Sequence, residues 1–339
     1  MKQLNDEHMI DASSGISPLG PSCKVKAALR KAVKNLNDFP DAEINKLSRF
    51  FLSKYGIDEN RIIFGNSISE LLSVITTAFR PKKALIAGPA LGIYGSALSA
   101  CSARIDQLVF DENTGFSIDT EALIKAAGNA DIVFIANPNR VTGSMYDRKK
   151  LYEALTHIDA PVVIDESLVE FTADDPFILD RDNIIILRTT AFFYGMPGLE
   201  TAYAVSSCTM IEKMLKGTVF GINILAAVAA RAAMKDKIYR KNTINFISHE
   251  NKKIMNLFKK NSGIISNGSD SNMFLIRIQN DQNKFCDAML KKGFLIRDCS
   301  DIQGLGSDFI RLSVMKHEYN KKFMKILSGW LQNTIADID

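Results

Sequence analysis

From residue 61 to residue 205 the chain keeps returning to one pattern: a short apolar run, a turn, an amphipathic stretch, another apolar run. Runs 61–64, 84–87, 104–110, 131–136, 161–164, 184–187 and 203–205 are short, largely aliphatic and bounded by Gly, Pro, Asn or Asp, which reads as strands. Nearby stretches have helical periodicity. In 42–54 the apolar Ile44, Leu47, Phe50 and Phe51 recur at helical spacing, and 119–127 reads as a helix capped near Ser117 or Asp119. Strand and helix in steady succession predict an α/β fold, with a mostly parallel central sheet flanked by helices. Open sheets of that kind collect functional groups at the carboxyl ends of their strands, which singles out Asp165, at the end of run 161–164.

Beyond that region, 209–216 and 222–234 read as helices, and 239–260 as a long helix linking two parts of the chain. Alternation then resumes with a strand at 272–277, a helix at 284–292 and further apolar runs at 293–300 and 309–314. The expected division is an N-terminal arm and first helix (1–36), a large domain (37–238), and the linking helix with a smaller C-terminal α+β domain (239–339). A length of 339 residues, 46% of them hydrophobic, is ample for such a core.

Charge and cysteine usage exclude several classes. A formal charge of +4, with the basic residues scattered through helical segments, does not suit nucleic-acid binding. No apolar run approaches the length of a membrane span, and the first residues are polar with no apolar signal core. Cys23, Cys101, Cys208, Cys286 and Cys299 are odd in number and widely spaced, which fits free thiols in the cytoplasm. His8, His157, His249 and His317 are isolated and lack metal-ligand spacing, so no metal site is expected.

Three segments carry chemical information. Gly65-Asn66-Ser67-Ile68-Ser69-Glu70 is a glycine turn feeding a helix, a geometry that aims backbone N–H groups at an anion; Ser67 or Ser69 could equally be a plain cap. Asn137-Pro138-Asn139-Arg140-Val141-Thr142-Gly143 follows run 131–136. The third, from Leu187 to Val205, reads strand, tight loop, strand, with Gly195, Pro197 and Gly198 turning an aromatic cluster.

Together these segments resemble fold-type-I pyridoxal-phosphate (PLP) enzymes, in the branch of the histidinol-phosphate aminotransferases and threonine-phosphate decarboxylases. The loop after Leu187 is similar to that branch's Arg-Ser-Leu-Thr-Lys-Phe-Tyr-Gly-x-Pro-Gly-Leu-Arg, and 137–143 to its Asn-Pro-Asn-Asn-Pro-Thr-Gly. Further on, Ile296-Arg297-Asp298-Cys299-Ser300, Gly304-Leu305-Gly306 and the Ile310-Arg311 strand look like the C-terminal signature of the decarboxylases, and Ser17-Pro18-Leu19-Gly20-Pro21 like their N-terminal arm. The resemblance implies the family's two-domain fold and a dimer whose active sites straddle the subunit boundary. It also implies that Asp165 pairs with the pyridine nitrogen, that Ser67 and Ile68 lie at the cofactor phosphate, that Tyr94 lies near the ring, and that Arg311 binds a substrate carboxylate, with Arg140 and Asn272 beside it.

The same alignment puts Phe192 at the Schiff-base lysine, Ala191 at the neighbouring hydroxyl, Glu200 at the phosphate arginine, Arg140 at the asparagine that bonds the phenolic oxygen, Leu91 at the stacking ring and Phe39 at the cross-subunit tyrosine. Lys213 and Lys216 fall in a later helix. These positions have the cofactor as their common object. The expectation is therefore a family member that has lost PLP and its catalysis, and either binds a small anionic, phosphorylated amino-acid-like metabolite or serves as a noncatalytic partner. It would pair with itself or with an active relative. The alternative is an enzyme acting on a phosphorylated amino acid or amine that uses PLP without the lysine.

Overall fold

Alternation along the sequence becomes layering in space. The computed structural model describes residues 9–172, 181–216, 221–261, 263–278 and 282–336, so His8 lies outside the described residues. The chain begins with β1 (Ile10–Asp11), α1 (Cys23–Ala32) and α2 (Asp41–Tyr55). It continues through β2 (Ile62–Gly65), α3 (Ile68–Phe79), β3 (Lys83–Ala87), α4 (Ile93–Ser99), β4 (Arg104–Leu108), α5 (Thr120–Ala127), β5 (Ile132–Ala136), α6 (Arg148–Leu155), β6 (Val162–Asp165), β7 (Ile184–Thr189) and β8 (Ala202–Val205).

β2 to β8 form one sheet of seven strands in the order β2-β8-β7-β6-β5-β3-β4. Neighbours from β7 to β4 are parallel, and β8 runs antiparallel to both β2 and β7. Because strand side chains alternate, each central strand feeds two cores. Ile132, Phe134, Val163, Ile185 and Leu187 pack on one face with side chains from α3 and α4, among them Leu71, Leu72 and Leu98. Val133, Ile135, Val162, Ile164, Ile184 and Ile186 pack on the other with Leu123 of α5 and Leu151 of α6. β4 is at the edge, and there the alternation is charged: Arg104 and Asp106 are exposed. The predicted strands and helices of this region are all present, with ends shifted by a residue or two.

Past β8 come α7 (Cys208–Leu215), α8 (Ile224–Met234) and α9 (Lys237–Phe258). The buried face of α8 is mostly alanine, which lets α1 and α2 pack closely against it. α9 leads to β9 (Ile264–Ile265), β10 (Met273–Ile278), α10 (Gln282–Lys291), β11 (Phe294–Leu295), β12 (Arg297–Asp298), β13 (Phe309–Ser313) and α11 (His317–Ala336). A second, antiparallel sheet has the order β12-β13-β10-β9, and β1 pairs in parallel with β11. α11 was not anticipated from the sequence. It lays Phe323 and Leu327, one helical turn apart, into the core, and Asn320 caps the preceding turn through the Met315 amide at 2.9 Å.

The two sheets meet at Gly143. Its φ is +76°, and a Cβ there would stand 1.9 Å from the Met273 carbonyl oxygen, so only glycine fits. The Gly143 carbonyl in turn accepts from the amides of Asp270 and Ser271, each at 3.1 Å, and from the Ser271 hydroxyl at 3.0 Å.

Candidate functional site

Asp165 ends β6 with no exposed surface, so its carboxylate must be satisfied from within. Oδ2 accepts the Tyr94 hydroxyl at 2.6 Å, and Oδ1 accepts the Ser167 amide at 2.9 Å and the Ser167 hydroxyl. The Arg140 Nη1 stands 3.6 Å from Oδ2. Burial, then the charge of Asp165, push the Tyr94 hydroxyl far above the ordinary tyrosine range, so Tyr94 is a fixed donor. Asp165 and Tyr94 thus belong to one buried hydrogen-bonded cluster.

Arg140 is aimed by its loop. Asn139 accepts from the amides of Val141 and Thr142 at 2.8 and 3.1 Å and donates to the Pro89 carbonyl at 2.9 Å, folding 137–143 tightly over the end of β5. The Arg140 guanidinium then lies over the Phe192 ring, 4.8 Å from its centroid, with its side chain 14% exposed. The Phe192 carbonyl accepts the Ser17 amide at 2.8 Å and the Gly195 amide at 3.2 Å, which fixes the loop against the N-terminal arm.

A second carboxylate completes this side. Glu200 Oε1 accepts the Ile68 amide, the first of α3, at 3.2 Å and the Thr189 hydroxyl at 2.7 Å. Burial pushes its carboxyl above the usual range, outweighing the hydrogen bonds from Thr189 and Ile68 and the charge of Arg140. Ser67 is the α3 cap, its hydroxyl accepting the Glu70 amide at 3.1 Å, and the Glu70 carboxylate accepts the Asn66 amide close by.

Arg311 and Asn272 lie on the other side of the Arg140 backbone. Arg311 donates to the carbonyls of Arg140 at 3.0 Å and Ser13 at 2.9 Å, while its Nε has no partner. It is 7% exposed, so it is not a surface group. Burial, with Arg140 and Arg297 nearby, brings its guanidinium down to about 10. Asn272 is fully buried; Nδ2 donates to the Gly15 carbonyl at 2.7 Å and Oδ1 is unpartnered. Both side chains therefore clasp the arm.

Residues 13, 15, 167 and 189 were not singled out from the sequence. All four act through a backbone atom or a short hydroxyl, and neither leaves a sequence signal. Lys213 and Lys216 are engaged on α7, with Nζ 4.3 Å from the Phe79 ring centroid and 3.0 Å from Glu212 respectively. Phe39 is 87% exposed ahead of α2. Among the described residues no group of His, Cys, Asp and Glu could hold a metal ion, and no helix is long and apolar enough to cross a membrane.

The family model for aminotransferase class I and II matches residues 7–327. A histidinol-phosphate aminotransferase from Methanococcus aeolicus is 25% identical over 336 residues, 96% of this chain and 90% of that protein. Among solved structures, the L-threonine-O-3-phosphate decarboxylase from Porphyromonas gingivalis superposes with a TM-score of 0.84 at 22% identity, covering 96% of this chain and 100% of that one. The histidinol-phosphate aminotransferase from Sinorhizobium meliloti, solved in complex with pyridoxal-5'-phosphate, also gives a TM-score of 0.84, at 22% identity over 98% of this chain and 92% of that one.

Proposed function

The chain belongs to the class I and II aminotransferases, a PLP-dependent family, and from that premise we propose that it has given up the cofactor and catalysis and acts as a binder of a small anionic, phosphorylated amino-acid-like metabolite. The residues present do not fit PLP. One observation carries this reading: three of the roughly four acceptor positions of the Asp165 carboxylate are taken by Tyr94 and Ser167, and the Arg140 guanidinium stands 3.6 Å from Oδ2, where a second cation such as a pyridinium would have to approach. Phe192 offers no amine, and the Arg140 guanidinium lies over its ring. At the other end, Glu200 presents a carboxyl group to the amide that opens α3.

An anionic ligand is favoured by the other half of the site. Arg311 sits near Arg140 and Arg297 and has an unpartnered buried Nε, and Asn272 has an unpartnered buried Oδ1. The buried Arg311 guanidinium, held by neutral carbonyls, calls for a counter-charge. The relatives named for histidinol phosphate and threonine phosphate supply the substrate class by analogy. The reading includes a dimer, supported by the exposed apolar side chains of Val33, Leu36 and Phe39.

The test is the absorbance spectrum of purified protein incubated with PLP, before and after borohydride. No visible band and no reducible adduct are expected, together with saturable calorimetric binding of a phosphorylated amino acid or amino alcohol. A reducible adduct at one equivalent per chain defeats the proposal.

A further inference from the structure

The amino end of α3 is built to hold an anion, and in this chain the anion is covalently attached. α3 has twelve residues, Ser67 caps it, and its first amide, at Ile68, points to the Glu200 carboxyl at 3.2 Å. An uncapped amide at a helix start carries partial positive charge, and phosphate oxygens are its usual external partners. Three features show that Glu200 is seated here and not merely passing. Thr189, the last residue of β7, donates its hydroxyl to the same oxygen at 2.7 Å. The Arg140 guanidinium, 3.6 Å from Asp165, also places its positive charge on the Glu200 side of the cleft, where it partly offsets the burial that raises the Glu200 carboxyl. Glu200 is also the residue that closes the turn Pro197–Leu199 before β8, so its backbone is held on both sides.

We infer that Glu200 is a tethered anion occupying the place that a phosphomonoester or inorganic phosphate would take at the start of α3, so that the fold retains an anion site which the chain itself keeps shut. Arg140 is its counterpart: one guanidinium serves two carboxyl groups, Asp165 at 3.6 Å and Glu200 farther off. The α3 end of the cleft is thereby supplied internally with the opposite charges that would otherwise come from a bound molecule, while Arg311 at the other end keeps its unpartnered Nε. This inference rests on the cofactor-free reading given above and adds what closes the site.

The probe is inorganic phosphate, titrated calorimetrically into the full chain at constant ionic strength, in wild type and in the Glu200→Gln and Glu200→Ala variants. A carboxylate and a phosphate about 5 Å apart repel strongly even at a surface-like dielectric, and partial exposure of Glu200 reduces the effect, so removing the charge should tighten phosphate binding roughly 10- to 100-fold. In wild type, the Ile68 amide resonance should stay in place as phosphate is raised through the millimolar range, and in either variant it should move with the calorimetric isotherm. Variants that are folded by circular dichroism yet bind phosphate no better than wild type overturn the inference. So does a wild-type Ile68 resonance that shifts on adding phosphate, a readout that needs no variant to fold. A reducible pyridoxal adduct on wild-type protein would instead defeat the underlying reading, so the two failures are separable.

Discussion

Replacing Phe192 with lysine puts an amine where the sequence resemblance implies one, and the structure says why the amine would be unwelcome. The Arg140 guanidinium lies 4.8 Å from the centroid of the Phe192 ring. An ammonium in that volume would stand about 5 Å from it, a repulsion of roughly 3 kcal/mol at an effective dielectric near 20. Loss of the cation–π contact adds about 1 kcal/mol. Lysine can swing its head toward water, because position 192 is only partly buried, and that returns part of the cost. A coupling of about 2 kcal/mol should survive. The assay is a double-mutant cycle of Phe192→Lys and Arg140→Gln by urea denaturation. Phe192→Lys should cost about 2 kcal/mol less when Arg140 is already glutamine, since the lost ring burial is common to both backgrounds and cancels. A coupling below about 0.5 kcal/mol would refute the contact as the organiser of this cleft.

Other outcomes follow from the same geometry. Gly143→Ala forces a Cβ against the Met273 carbonyl at a positive φ and should destabilise the protein by about 3 kcal/mol or more, read as a fall in the calorimetric midpoint. Glu166→Gln removes the charge that Arg148 meets at 2.6 Å and Arg188 at 2.7 Å; because all three are largely buried, the cost should be about 3 kcal/mol in urea unfolding. Glu250 is pushed up by burial but held below its ordinary 4.5 by hydrogen bonds from Asn320 and His317 and by Lys253. Its folded value is the depressed one, so its contribution to stability is present above pH 4.5 and is lost as pH falls through the lowered value. Glu250→Gln should therefore flatten the acid limb of the stability profile, and an unchanged limb would count against the cluster.

Much of the fold was legible because the signal was local. Buried parallel strands must be continuous aliphatic runs, and β5, β6 and β7 are. The position of Asp165 followed from the strand it ends. α11 follows the last motif of the chain, and the helical spacing of Phe323, Ile326, Leu327 and Trp330 was a signal that went unread. The roles of Arg140, Glu200 and Arg311 were only half legible. The resemblance implied that Arg140 and Glu200 stand at positions of other residues and that Arg311 meets a substrate carboxylate, but not where each side chain would turn. Arg311 turns to two main-chain carbonyls, and Glu200 to a main-chain amide; backbone atoms are the same at every residue, so no residue type advertises them.

Arg311 holds carbonyls at residues 13 and 140 at once, and among the described residues β1 pairs with β11 alone. β1 thus has no strand to pair with until β11 has been made, and the hold of Arg311 on the arm comes later still, with β13. During synthesis a chain cut short before β11 would keep the arm's contact at Phe192 but leave β1 unpaired while the central layers were already complete.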